Sequence, residues 1–140
     1  MKLKFGLRPA ALAMLLTASG YAAELKVIVN SAVSATSISS GDLKDIFLAN
    51  KSALSDGTRV ASVLLKAGTT HTAFVQKYVG RADSAYDTYL RSLVFTGKAS
   101  MPKALAGDAE MVGYVAKNKG AIGYVSAAAD TTSVKVLDVK

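Results

Sequence analysis

Residues 59–79 have the sequence RVASVLLKAGTTHTAFVQKYV, which combines a strand, a turn and a helix. The first part, residues 59–65, is mostly apolar and predicts a largely buried strand. A short polar turn, residues 66–70, follows this strand. The spacing of the next apolar side chains places them on one face of a helix: Phe74, Val75, Tyr78 and Val79. A buried strand that leads through a turn into an amphipathic helix is typical of an α/β domain.

The turn between this strand and this helix is a candidate site for an anion. Thr69 or Thr70 is the predicted N-cap, because its hydroxyl can accept a hydrogen bond from an early helix N–H. Free N–H groups and the positive end of the helix dipole would face the turn, beside Lys66 and His71. The candidate ligand-binding residues are Lys66, Gly68, Thr69, Thr70 and His71. Turns with glycine and threonine are also ordinary structural joints, so the pattern leaves that alternative open.

The N-terminus has the composition of a secretory signal peptide. A basic start is followed by the apolar run 9–18 and then by small residues as far as Ala22. This run is too short to span a membrane, so we predict a signal peptide at residues 1–22 with cleavage before Ala23. Residues 23–140 then form one domain with a single core and no membrane span. We expect this domain in the bacterial periplasm; a secreted or surface location stays open.

Charge and cysteine content narrow the classes of partner. Cleavage would remove three of the 17 basic residues and leave 14 basic and 10 acidic residues, a net charge of +4. The charges are scattered, without a basic run, so we expect no nucleic acid partner. A mild positive field still favours small anions. The chain has no cysteine, so its core must stabilise it without disulfides.

Three further strands are predicted along the chain. Leu25–Val29 is nearly all apolar, which favours a central position in a sheet. Ala121–Val125 contains Gly123, which leaves room for a close neighbour. Residues 134–139 mix valines with charged residues, which predicts a terminal edge strand.

Three further helices are predicted between these strands. Ser39 and Asp42 resemble a capping box, and a second such pair is Ser84 and Asp87. The last helix opens with acidic residues at Asp108 and Glu110. Apolar stripes predict the buried side of the first two: Leu43, Ile46, Phe47, Tyr86, Tyr89, Leu90, Leu93 and Val94.

The order of these elements predicts an α/β domain with helices flanking a small, mainly parallel sheet. Gly80 and Gly120 are predicted to end helices, and residues 96–107 are predicted to be a loop. The expected core includes Phe74, Tyr89, Leu93 and Ile122.

The residues do not favour an enzyme. There is one histidine, no cysteine and no close carboxylate pair, so we expect no catalytic residues, no metal and no cofactor. The dinucleotide and phosphate-loop glycine patterns are absent from the sequence. His71 has no partner that would give it a task, and its simplest interpretation is a solvated surface residue.

Four segments resemble the phosphate-binding receptors of ABC transporters. They are residues 41–65, 68–74, 95–105 and 110–126, and the most specific of them contains Gly120–Val125, GAIGYV. The chain is most similar to short, single-domain relatives known as phosphate ABC transporter substrate-binding proteins. The resemblance implies a type II periplasmic-binding-protein fold, of which this chain would be a single lobe.

The resemblance also bears on function. In those receptors a Ser-Gly-Thr turn at the head of a helix grips phosphate; Gly68, Thr69 and Thr70 occupy the matching positions here. Lys66 stands where it could replace a nearby arginine, without the bidentate geometry of arginine. The resemblance therefore implies a non-catalytic, extracytoplasmic domain that binds phosphate or a similar oxyanion weakly. The alternative is an envelope protein-interaction module, through a partner or self-association, that kept the fold and lost the ligand.

Overall fold

The computed structural model describes residues 25–140, and the predicted signal peptide lies outside the described residues. The strands are β1 (Leu25–Val29), β2 (Ser37–Ile38), β3 (Ala61–Leu65), β4 (Lys103–Leu105), β5 (Ala121–Ser126) and β6 (Lys135–Val139). The helices are α1 (Ser40–Phe47), α2 (Thr69–Phe74), α3 (Asp83–Phe95) and α4 (Asp108–Lys117), and a π-helical segment, Val75–Val79, continues α2. None of these helices combines the length and the apolar composition that crossing a membrane requires.

The six strands form one mixed sheet in the order β2-β6-β1-β5-β3-β4. The pairs β3–β4, β3–β5 and β2–β6 are parallel, whereas β1 is antiparallel to both β5 and β6. The prediction that β1 is central is confirmed, because it lies between β6 and β5. The predicted α/β fold is also confirmed, with a mixed sheet in which three of the five strand pairs are parallel.

Two predictions about the ends of the sheet are wrong. Residues 134–139 do not form an edge strand, because β2 pairs with the outer side of β6. Residues 96–107 are not all loop, because β4 pairs with β3 there. Strands of two and three residues are too short to show a period in the sequence.

The side chains of β5 show that helices cover both faces of the sheet. The ring of Tyr124 lies 3.8 Å from the ring of Phe74 and 5.9 Å from that of Phe47, measured between centroids. Its neighbour Gly123 lies against the side chain of Met111 in α4. Because successive residues of a strand point to opposite faces, α1 and α2 cover one face and α4 covers the other.

Close packing at Gly123 agrees with the sequence prediction for this position. A Cβ atom added there would lie only 2.5 Å from Sδ of Met111, a fully buried side chain. Glycine therefore allows α4 to approach β5 closely.

Burial of the predicted core residues is only partly as expected. Phe74 and Ile122 are fully buried. Tyr89 and Leu93 are only half-buried, and Val94 at the end of the same stripe is 40% exposed. Helix α3 therefore lies at the edge of the core and buries mainly Tyr86 and Leu90.

The predicted helix ends agree with the structure in part. Ser39 is the N-cap of α1 and accepts a hydrogen bond from the N–H of Asp42 at 3.0 Å. The second capping box is wrong: α3 begins at Asp83, one residue before Ser84, and has no side-chain cap. Gly80 ends the π-helical segment in the left-handed conformation, as predicted, with φ of 73°.

Candidate functional site

The candidate site lies where β3 and β4 end side by side. The N–H of Lys66, just after β3, donates to the carbonyl of Leu105 at the end of β4, at 2.8 Å. Each strand then leads through a glycine to a helix, Gly68 before α2 and Gly107 before α4. Two helix N-termini therefore open at the carboxyl edge of two neighbouring parallel strands, the edge where α/β proteins commonly bind ligands.

A cavity of about 260 Å³ lies between these two turns. All five predicted site residues line it: Lys66, Gly68, Thr69, Thr70 and His71. The lining also includes Leu65, Ala67, Ala106, Gly107 and Asp108. Pockets for drug-sized ligands measure about 300–1,000 Å³, so this cavity suits a small ion.

The helix starts supply backbone donors around the cavity. The first helical hydrogen bond of α2 runs from the N–H of Thr72 to the carbonyl of Gly68, at 2.9 Å. In α4 the N–H of Met111 donates to the carbonyl of Gly107 at 3.0 Å. The N–H groups of residues 69–71 and 108–110 precede these first bonds, so they have no acceptor inside their own helix. The positive ends of both helix dipoles also lie at the cavity.

The predicted cap of α2 is wrong. Gly68 is the N-cap, and Thr69 and Thr70 lie inside the first turn of the helix. No side chain caps this helix start. The N–H groups that a cap would have occupied are therefore left to another partner, either water or a ligand.

His71 is not the solvated residue that the sequence suggested. Its ring is half-buried, and its Nδ1 bonds to the hydroxyl of Tyr124. The same hydroxyl accepts the N–H of Leu65 at 3.0 Å. The one proton of this hydroxyl then goes to Nδ1, because otherwise a buried donor would have no acceptor. This arrangement fixes neutral His71 as the tautomer with a proton on Nε2, which is then the ring's free donor.

Burial governs the titration of this pair. Desolvation lowers the pKa of His71, although the carboxylates of Asp83 and Asp87 act against that change. Desolvation also raises the pKa of Tyr124, opposed by the hydrogen bond from Leu65. Both side chains are therefore held in their uncharged forms near neutral pH.

Asp108 is the site residue that sequence reasoning missed. Its carboxylate accepts hydrogen bonds from the N–H of Ser126, at 3.2 Å, and from the hydroxyl of Ser126. The carboxylate is thereby fixed at the first turn of α4, next to the cavity. A signal was present in the sequence, because Ala106-Gly107 before α4 repeats Ala67-Gly68 before α2.

Lys66 provides the positive side chain at the cavity. It is exposed, and neither of the two ion pairs between residues 25 and 140 involves it. In the same part of the chain, no group of three or more His, Cys, Asp or Glu side chains could hold a metal ion. The arrangement offers hydrogen-bond donors and one cation to a small anion.

Solved structures with a similar fold are phosphate-transport receptors. An ABC-type phosphate transport receptor from Vibrio cholerae superimposes with a TM-score of 0.63 at 18% identity, covering 82% of this chain and 45% of the receptor. The chain shares a fold with phosphate receptors. The resemblance seen in the sequence is therefore confirmed at the level of the fold.

Two more structures give the same result. One is a Clostridium perfringens protein assigned to the phosphate ABC transporter substrate-binding proteins and solved with bound phosphate. It has a TM-score of 0.62 and 19% identity, with coverage of 82% and 44%. The other is PstS from Borrelia burgdorferi, with a TM-score of 0.55, 11% identity, and coverage of 83% and 47%. This chain thus spans less than half the length of each receptor. No protein-family model matches the sequence, and no curated protein sequence is significantly similar to it.

Proposed function

We propose that this domain binds a small oxyanion such as phosphate, without catalysis, at Lys66, Gly68, Thr69, Thr70 and His71. The observation that carries the proposal is the meeting of two helix N-termini and one lysine around a cavity of about 260 Å³. Each helix start offers N–H groups without an intrahelical acceptor, and oxyanions are the usual ligands of such groups. A neighbour in fold has been solved with phosphate bound.

Binding at this site should be weak. Residues 66–69 are exposed, so water competes for the anion and screens its charge. Hydrogen bonds from exposed donors then contribute little beyond those of water. We expect a dissociation constant on the order of millimolar to tens of micromolar, about 4–7 kcal/mol of binding.

Asp108 should influence which oxyanion binds. A carboxylate beside the cavity repels a fully deprotonated anion but can accept a hydrogen bond from a protonated one. Hydrogenphosphate carries such a proton at neutral pH, whereas sulfate does not. We therefore expect phosphate to bind more tightly than sulfate.

The test is a titration of the isotopically labelled protein with phosphate and, separately, with sulfate, followed by backbone amide resonances. The amides of residues 68–71 and 108–110 should shift and saturate, with phosphate saturating first. Sodium chloride at matched ionic strength is the control for salt effects. Shifts confined to other regions would contradict the site. Equal responses to phosphate and sulfate would contradict the role of Asp108.

The second candidate is an envelope protein-interaction module, acting through another protein or a second copy. Its support is the exposure of residues 66–69, which leaves the turn accessible to a protein partner. If phosphate, sulfate and carboxylates at tens of millimolar shift no resonance, this candidate replaces the first.

Location is part of the proposal. The signal-peptide pattern in residues 1–22 supports export to the periplasm, and one protein of similar fold is an ABC-type phosphate transport receptor. An extracytoplasmic domain would meet free phosphate before any transporter does.

A further inference from the structure

A second cavity, larger than the first, lies at the opposite ends of β3 and β5. Its volume is about 590 Å³. The floor consists of buried apolar side chains: Ile46, Val60, Val63 and Ala121. Exposed residues from the loop before β4 and from the end of α4 form the rim. We call this cavity, defined by the four floor residues and the lysines of its rim, the basic groove.

The charge of the basic groove has one sign. Four lysines line it, Lys51, Lys98, Lys103 and Lys119, and none of the lining residues is acidic. Lys51 pairs with Asp42 at 2.5 Å, and Nζ of Lys103 lies 5.3 Å from the ring of Tyr114.

Two of these lysines have neither an ion pair nor an aromatic contact within residues 25–140. Lys98 and Lys119 take part in neither ion pair found between residues 25 and 140. Both lie near helix C-termini, where a cation compensates the helix dipole. That compensation explains their position along the chain, but it does not explain an apolar cleft between them.

We propose that the basic groove binds an extended acidic peptide segment of a partner protein, with an apolar side chain of that segment on the groove floor. Charge complementarity selects an acidic occupant, because two unpaired lysines border an apolar floor. The volume of the groove is more than twice that of the oxyanion site, which is too large for one small ion to fill.

The sheet edge favours an extended segment. Strand β4 is the last strand of the sheet, so its outer side has no strand neighbour among residues 25–140. Such an edge can accept an added strand, and the affinity then comes from main-chain hydrogen bonds. Lys103 in β4 disfavours pairing with a second copy of this basic chain, whereas an acidic segment neutralises that lysine.

The test uses a fluorescein-labelled peptide, Asp-Val-Glu-Leu-Glu-Asp, and anisotropy measured at low salt. A counterpart with lysine at each acidic position and one with glycine in place of Val and Leu are the peptide controls. We expect saturable binding of the acidic peptide, weaker binding of the glycine peptide, and none of the lysine peptide. Saturating phosphate should not displace the acidic peptide, so the outcome does not depend on the oxyanion site.

Charge reversal locates the interaction. Loss of one exposed charge pair weakens binding by a factor of about two to five, and charge reversal adds repulsion to that loss. Lys98→Glu with Lys119→Glu should therefore weaken peptide binding at least about tenfold. The matched control is Lys77→Glu with Lys140→Glu, which changes the net charge equally. Lys77 lies in the π-helical segment and Lys140 follows β6, and neither lines the groove. The control should weaken binding less than about threefold.

Several results would overturn the proposal. They are the absence of saturable binding, equal binding of the lysine peptide, or equal losses in the two double variants. If circular dichroism shows that the groove variant does not fold, a nitroxide-labelled acidic peptide added to the wild-type protein locates the binding site instead. Its paramagnetic broadening should concentrate on residues 98–103 and 118–121, and broadening elsewhere contradicts the groove.

Discussion

Nδ1 of His71 bonds to the hydroxyl of Tyr124, 53 positions further along the chain. This contact joins the candidate oxyanion site to the centre of the sheet, because Tyr124 belongs to β5 and its ring stacks on Phe74 at 3.8 Å. The site histidine is thus held by core packing rather than by its own turn. A substitution of Tyr124 should therefore change the position of His71 at the cavity.

The first prediction concerns pH. Burial lowers the pKa of His71 below its ordinary value of 6.5, so the folded state favours the neutral ring. Its contribution to stability is present above pH 6.5 and is lost as the pH falls through the lowered pKa. Urea unfolding should therefore show a falling free energy of unfolding as the pH is lowered from about 6.5, and His71→Gln should reduce this slope.

His71 is the only histidine in the chain, so no other histidine contributes to this pH dependence of the free energy of unfolding. Hydrogen bonds lower the pKa of three carboxyl groups below 3.8: Asp42, Asp56 and Asp130. Their contribution to the free energy of unfolding is therefore lost only at a pH more acidic than the range of this test. Equal slopes for wild type and variant between about pH 6.5 and 5 would contradict the prediction.

The second prediction concerns the hydroxyl of Thr70. Thr70→Val keeps the shape of the side chain and removes one donor from the cavity. The loss of one hydrogen bond, about 0.5–1.5 kcal/mol, should weaken phosphate binding about two- to tenfold in calorimetric titration. Thr88→Val is the control, because Thr88 is exposed on α3 and does not line the cavity. Equal phosphate affinities of the two variants would contradict a role for the Thr70 hydroxyl in binding.

The third prediction separates two leucines of α3. Leu90 is 4% exposed, whereas Leu93 is half-buried. Leu90→Ala should lower the free energy of unfolding by about 2–5 kcal/mol, because it removes buried methyl groups and leaves a cavity. Leu93→Ala should cost only about 1 kcal/mol. Denaturant unfolding of both variants measures the difference, and a larger loss for Leu93 would contradict the packing described for α3.

The fourth prediction compares two glycines. Gly123→Ala places a methyl group against buried Met111 and should cost about 1–3 kcal/mol. Gly113 lies inside α4 with open space beside it, so Gly113→Ala should stabilise the protein by up to about 1 kcal/mol. Met111→Ala combined with Gly123→Ala should cost less than the sum of the two single losses, because the shortened side chain leaves room for the added methyl group. A stabilising Gly123→Ala would show that α4 does not approach β5 this closely.

The fifth prediction concerns export. The basic start, short apolar run and small residues before Ala23 predict cleavage after Ala22. N-terminal sequencing of the protein from a periplasmic fraction should therefore begin at or near Ala23. An intact Met1 on protein confined to the cytoplasm would contradict both the signal peptide and the proposed location.

Much of the fold could be predicted because its longer elements carry a visible pattern. The apolar run of β1 indicated a central strand, and the stripe on α1 indicated its buried face. The short strands β2 and β4 could not be found this way, because two or three residues show no period. Their absence from the prediction also caused the error about β6, which becomes interior only when β2 is present.

The site could be predicted only where it is local in sequence. Residues 66–71 are contiguous, so the turn that holds them was visible. Asp108 belongs to another strand–helix unit, which reaches the cavity because β4 pairs with β3. The surroundings of His71 depend on Tyr124 in the same way. Both are consequences of sheet order, which local patterns do not specify.

The position of β1 has a consequence for the time course of folding. This strand is the earliest of the sheet to be synthesised, yet it pairs only with β5 and β6, the last two. Contacts between segments that are so distant in sequence form late and make folding slow, since a long loop must be ordered first. The nascent chain therefore cannot complete this sheet before β5 and β6 have emerged from the ribosome. For the export proposed above, this delay keeps the sheet incomplete while the chain is still being synthesised.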